Sequence, residues 1–249
     1  MIFSEPVYDL DELARYNLHV HTVFSLCAKA PAVLPAIVKV AEDAGLLGIA
    51  LTDHYNADIT ADQYLRHLEL LRQEADRLDT KVKIFFGAEL SAYAPGLSLE
   101  NEAVRKSLDY RLYTANHFHL DFWGQPENKS PKAYADYMLE IMRSFIINGR
   151  AHCFAHPFIG RFIGIFEDKT LVTKALTDND LGDIFCLAKE HCVAWEINSG
   201  AVLGDPEFSR RYWNIGRECS VTFHYGTDAH LPENVDTAKS LALVKEILL

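Results

Sequence analysis

Seven short clusters along the chain carry side chains that bind divalent metal ions. They are Asn17-Leu18-His19-Val20-His21-Thr22, Leu51-Thr52-Asp53-His54, Gly87-Ala88-Glu89, Asn116-His117-Phe118-His119, Phe154-Ala155-His156-Pro157, Glu196-Ile197-Asn198 and Gly226-Thr227-Asp228-Ala229-His230. In extended backbone, alternate residues share a face, so His19 and His21 can reach one ion together. Imidazoles mixed with carboxylates suit Zn²⁺, Mn²⁺ or Fe²⁺, whereas all-oxygen sites suit Mg²⁺ or Ca²⁺. The donors outnumber what one ion needs, which points to two or three ions sharing a bridging carboxylate. Glu89, the lone acid of its cluster, is the natural bridge. Two ions about 3.5–4 Å apart can hold a hydroxide between them and clamp a phosphoryl group for in-line attack. Such ions also lower the pKa of water, so no protein base is strictly required.

Each cluster ends a short apolar run. These runs predict strands over 16–21, 47–52, 82–88, 110–115, 151–155, 193–197 and 221–225. Between them, apolar residues at helical spacing predict helices over 34–44, 61–78, 131–147, 180–191 and 206–217. Gly45 and Gly149 read as C-caps, and Ser130-Pro131 as an N-cap with proline in the first turn. Strands alternating with helices give an α/β fold with a mainly parallel sheet. Seven such units suggest a closed or nearly closed barrel, with an open doubly wound sheet as the other arrangement. In a parallel barrel the C-terminal strand ends converge on one mouth, where active sites are built. No repeat or linker divides the 249 residues, so one domain spans 1–249, with 1–15 as an N-terminal extension.

The ordered set HVHT, LTDH, GAE, NHFH, AHP, EIN and GTDAH, running from Asn17 to His230, resembles the polymerase and histidinol phosphatase (PHP) superfamily. The resemblance implies a distorted seven-stranded (β/α)7 barrel, TIM-barrel-like, and a metal-dependent phosphoesterase. Carried over by position, it implies one ion on His19, His21, Glu89 and Asp228. A second would lie on Glu89, His117 and His156, and a third on His54 and His230. The chain departs from the pattern twice. Asn17 stands where many members carry aspartate, and Cys27 stands where trinuclear members place a histidine. A thiolate at Cys27 can still bind Zn²⁺, and His119 competes with His117 as the ligand of its cluster.

Asp53 beside His54 reads as a residue that orients a histidine. Glu196 and Asn198 alternate with Trp195 and Ile197, so they face the mouth, where hydrogen bonding is their expected use. Arg161 is the candidate for phosphate, because guanidinium engages phosphate oxygens bidentately. The segment 119–130 reads as a lid or a surface loop. His67, between charged residues mid-helix, reads as surface, and His152, His191 and His224 read as structural.

The competing functions are hydrolysis of a small phosphomonoester such as histidinol phosphate, cleavage of a phosphodiester or nucleotide end, and a catalytically silent metal-binding module. An amidohydrolase-type barrel also opens with HxH, but would usually need a carboxylated lysine where Glu89 stands. A net charge of −11 argues against an extended nucleic-acid surface, though bound cations can still attract a small anionic substrate. There is no run of eighteen apolar residues, so no membrane span is expected. The acidic opening segment lacks an apolar signal core, and the five cysteines form no CxxC pair. A cytoplasmic protein with reduced thiols is therefore expected.

Overall fold

A computed structural model describes residues 5–29 and 31–249. Residues 1–4 of the expected N-terminal extension lie outside the described residues. Seven strands form one parallel sheet in chain order: β1 (Tyr16–Val20), β2 (Gly48–Leu51), β3 (Lys83–Ala94), β4 (Tyr110–Thr114), β5 (Cys153–Phe154), β6 (Ala194–Asn198) and β7 (Phe223–Gly226). A parallel bridge from Val20 to Ala229 brings the last segment back to the first strand, with His21 N donating to Ala229 O at 2.8 Å. The ring is thus nearly closed, and the fold is the distorted seven-stranded α/β barrel that the sequence implies.

β3 differs from its expected bounds. It runs on past Glu89, because His54–Tyr55 pairs alongside it, His54 opposite Glu89, and Leu97–Ser98 returns as an antiparallel partner. These two short pieces satisfy backbone groups beyond the rim, so Glu89 sits in mid-strand rather than at a strand end. β5 is shorter than expected, with only two residues in ladder geometry.

Outside the ring lie α1 (Leu34–Asp43), α2 (Ala61–Ala75), α3 (Pro131–Ile147), α4 (Asp178–Glu190), α5 (Pro206–Glu218) and α6 (Ala238–Leu248). Local chemistry starts them where the sequence indicates. Ser130 accepts from Ala133 N ahead of Pro131, and Thr60 and Gln63 form a capping box before α2. α6 was not anticipated, nor was the turn Leu10–Leu13, whose two leucines are buried. The helices bury one face against the outside of the strands, where Trp195, Phe185, Phe145 and Trp213 are fully enclosed. A small inner layer of Leu18, Ala50, Tyr110, Leu112, Cys153, Ala155 and Ala194 fills the ring itself.

That inner layer leaves His224 buried and His152 half-buried. Tyr110 Oη lies 2.9 Å from His224 Nδ1 near the N-terminal ends of the strands, and His152 lies close by. Burial pushes His224 down to about 3 and His152 to about 4. Both stay neutral in the fold while the unfolded chain takes up a proton near its usual value of about 6.5. Their contribution is therefore complete above pH about 6.5 and is lost as pH falls toward 3–4. His224→Asn keeps an acceptor near Tyr110 but removes the titration. Urea unfolding between pH 6.5 and 4.5 is expected to lose about 1.4 kcal/mol per pH unit of its slope in that variant. An unchanged slope would mean that His224 is not held neutral.

Candidate metal centre

The mouth of the barrel begins with an irregularity in β1. Its register against β2 slips between Asn17 and Val20, and such a bulge changes the phase of the side chains. Leu18 packs in the inner layer and Val20 in the outer one, while His19 and His21 converge with their Nε2 atoms 3.2 Å apart. Two other donors sit on strained backbone. His156 has φ 29° and Asp228 φ 54°, the left-handed region that non-glycine residues avoid and that recurs at functional sites.

Glu89 lies at the centre, 1% exposed. Its Oε2 is 3.3 Å from His19 Nε2, 3.5 Å from His21 Nε2 and 3.2 Å from His54 Nδ1. Its Oε1 is 3.2 Å from His156 Nε2 and 3.5 Å from His117 Nε2. Asp228 Oδ1 closes the other side, 3.0 Å from His21 Nε2 and 3.3 Å from His19 Nε2. Three groups of donor atoms, each within 4.8 Å of one another, result: His19, His21, Glu89 and Asp228; His54, Glu89 and His117; and His21, Cys27, His54 and His230. Glu89 belongs to two of them. Within the third, Cys27 Sγ is 3.0 Å from His230 Nε2.

Charge balance follows from this crowding. Burial alone would raise Glu89, but His54 and His19 hold its carboxyl well below the usual range, and His19 and His21 do the same for Asp228. Burial alone would lower His19, yet Glu196, Asp228 and Glu89 hold it well above its ordinary value. Burial instead pushes His54 down to about 4 and keeps His117 well below normal. Burial, then Glu89 and Asp228, push the Cys27 thiol up to about 12.

The donor set fits divalent cations. Glu89 Oε1 and His54 Nδ1 are buried yet make no well-aligned hydrogen bond, and both residues belong to one donor group. Buried polar atoms are almost always paired, so two unsatisfied ones in one donor group fit a cation there.

Around the donors are residues that hold them. Glu196 Oε1 accepts from His19 Nδ1 at 2.8 Å, and its Oε2 accepts the His156 amide. That bond puts the proton of His19 on Nδ1 and leaves Nε2 facing the centre. Asp53 accepts from Thr22 N and Thr22 Oγ1, both at 2.7 Å, and from Ser25 Oγ at 2.8 Å, so it ties down the loop after β1. Asn17 Nδ2 donates to Thr227 Oγ1 and to Val235 O, a donor role no aspartate could fill. Asn198 Oδ1 caps the short helix Ser199–Gly204.

Among the remaining candidates, His117 is brought to Glu89, while His119 stacks on Phe162 at 5.0 Å and meets the His117 ring edge-on at 5.4 Å. Arg161 lies on the lip of the site in the turn Gly160–Phe162. Segment 119–130 folds inward. Trp123 is buried and Gly124 N donates to Tyr93 O where a Cβ would not fit, which pins the segment, while His119, Asp121, Gln125 and residues 127–129 are exposed, as in a surface loop. His67 departs from the surface role expected of it, since it stacks on Phe24 at 4.2 Å inside the mouth. Sequence reasoning also missed Gly226, because the contact that requires it comes from another strand.

Residues 17–178 match the PHP domain family model. The chain belongs to the PHP domain family. No curated protein sequence matches it significantly. In three dimensions it is similar to histidinol phosphate phosphatase from Lactococcus lactis, solved with zinc, L-histidinol and phosphate. That match has TM-score 0.60 and 16% identity, and covers 93% of each chain. It is also similar to a Xaa-Pro dipeptidase with bound methionine (TM-score 0.52, 13% identity, 94% of this chain and 70% of that one). A third similarity is to A. niger ochratoxinase (TM-score 0.51, 12% identity, 94% and 66%). At these identities the likeness is one of fold. Among the described residues, no helix of this PHP-family chain is long and apolar enough to cross a membrane.

Proposed function

We propose that this chain, a metal-dependent phosphoesterase of the PHP family, hydrolyses a small phosphomonoester at a centre of two or three divalent ions. The observation that carries the reading is one buried carboxylate, Glu89, surrounded by five imidazoles and shared between two donor groups. His19, His21, Glu89 and Asp228 would hold one ion, and Glu89, His117 and His156 a second, with His54 at their border. His54 and His230 would hold the third, with Cys27 as a soft donor that favours zinc there. Bound ions of the Zn²⁺, Mn²⁺ or Fe²⁺ type would supply positive charge for the phosphoryl oxygens and lower the pKa of a water molecule.

The chain's own residues set the geometry. Glu196 fixes the tautomer and ring angle of His19 and anchors the His156 backbone. Phe162, 4.5 Å from the His117 ring, covers one side of that ligand. Arg161 holds the phosphate from the lip. In the net reaction a water oxygen bonds to phosphorus, the ester P–O bond breaks, and the alcohol leaves with a proton. The fold shared with a phosphatase that binds zinc, L-histidinol and phosphate supports the monoester reading and makes histidinol phosphate a first substrate to try. The mouth carries Asp58 and Asp121 but no lysine among its described residues, which disfavours a long polyanion such as nucleic acid.

The test is phosphate release from histidinol phosphate, a nucleoside monophosphate, a sugar phosphate and an aryl phosphate, with Mn²⁺ or Zn²⁺ and beside a chelated control. Metal-dependent turnover is expected. Absence of turnover on all four, with metal still bound, would overturn the monoester reading. Arg161→Ala is expected to raise KM roughly tenfold with kcat little changed, as for uniform binding of the phosphate. An unchanged KM would remove Arg161 from the site.

A further inference from the structure

The donors occupy only the floor of a cavity of about 780 Å³. A phosphoryl group fills a small part of that space, so the remainder must suit the rest of the substrate. One wall is an aromatic pair, the Phe24 and His67 rings stacked at 4.2 Å with planes 14° apart, both half-buried. The pair is held rigidly to the centre from two sides. Phe24 precedes Ser25, whose Oγ lies 3.1 Å from His21 Nδ1 and donates to Asp53. His67 lies one turn beyond Tyr64 on α2, whose buried hydroxyl donates to Asp53 O and Gly87 O at 3.0 and 2.9 Å. Beside the pair, Leu26 is 86% exposed, and the outer rim carries Asp58 and Asp121.

We infer that the Phe24–His67 pair is the binding site for the leaving group, and that it selects a planar, uncharged or cationic ring over aliphatic or anionic groups. This deepens the phosphomonoesterase reading and rests on it. A flat ring extends an existing stack with offset geometry and costs little conformational entropy, whereas a puckered ring of equal size makes only the apolar contact. The rim carboxylates repel a second negative charge and attract an ammonium group, and this part of the preference is screened by salt. A purely structural pair would instead anchor the loop and affect all substrates alike.

The experiment compares benzyl phosphate with cyclohexylmethyl phosphate, which have similar bulk, and reads the change of their ratio on substitution, because benzyl alcohol is the slightly more acidic leaving group. It adds benzyl phosphates bearing a para-aminomethyl or a para-carboxylate group. The metal-loaded protein is expected to favour benzyl over cyclohexylmethyl roughly two- to tenfold in kcat/KM. Phe24→Leu and His67→Leu should bring that ratio toward one, with a larger loss on benzyl phosphate than on methyl phosphate. The aminomethyl compound should exceed the carboxylate about threefold at low salt, converging as salt is added. A wild-type ratio of one, or variants that slow benzyl and methyl phosphate equally, would overturn the proposal. Calorimetric binding of benzylphosphonate and cyclohexylmethylphosphonate keeps the two readings apart, because it needs no turnover. Preference for benzylphosphonate with no hydrolysis of any ester would retain the ring site and sink the phosphoesterase reading. Hydrolysis with equal phosphonate affinities would do the reverse.

Discussion

Glu89→Gln is expected to lower kcat/KM roughly a thousandfold or more and to remove at least one bound metal ion per chain, while the fold survives. The substitution keeps the volume and one oxygen and removes only the charge. That charge is what the site is organised around. With Glu89 ionised, its oxygens lie within 3.5 Å of five imidazole nitrogens, and among the described residues the only other carboxylate in the donor groups is Asp228. Without it, two cations would lie close together with no shared anion between them, and their mutual repulsion would favour loss of one. Metal content by mass spectrometry, circular dichroism and phosphate release check the three parts separately. His119→Ala is the matched control. His119 lies two residues from His117 and touches its ring, but belongs to none of the donor groups among the described residues, so activity and metal content should stay within about twofold. A Glu89→Gln protein with full metal and full activity would remove the bridging role altogether.

The contrast between His117 and His119 shows where sequence reading stops. Alternation in a strand gives both residues one face, and nothing local separates them. What separates them is the turn after β4: His117 meets Glu89, and His119 continues outward to stack on Phe162. The barrel itself was legible because each strand is a short apolar run, five of the seven are followed by helix periodicity, and those signals are local. α3 matches its expected bounds because Ser130, Pro131 and Gly149 mark its ends chemically. The overrun of β3 was not legible. It depends on two-residue partners, His54–Tyr55 and Leu97–Ser98, too short to show a period. For the same reason His67 looked like surface, since its helix period says nothing of Phe24 arriving from another loop.

Gly226 is the clearest residue of this kind, and its substitution carries the second large expected effect. In sequence it only opens the cluster Gly226-Thr227-Asp228-Ala229-His230, with no role of its own. In the structure a Cβ there would collide with Glu196 Oε1 and come within 2.7 Å of His19 Cβ. Neither neighbour can yield cheaply. Glu196 is fixed by His19 Nδ1 and the His156 amide, and the position of a Cβ is set by the backbone. Gly226→Ala should therefore destabilise the protein by about 1–3 kcal/mol through overpacking. By turning His19 and releasing His156, it should also weaken metal binding roughly 10–100-fold. Glu196→Ala alone should weaken metal binding to a similar extent without the overpacking, because it frees the same two histidines. The two changes share one mechanism, so they should not add. With Glu196 truncated, the added methyl still meets His19 but no longer the Glu196 carboxylate, and Gly226→Ala should cost less in that background by about 1 kcal/mol or more. Urea unfolding and metal titration of the four proteins give the cycle. Additive losses would mean that Gly226 acts through β7 alone, and that the approach of Glu196 to His19 does not depend on it.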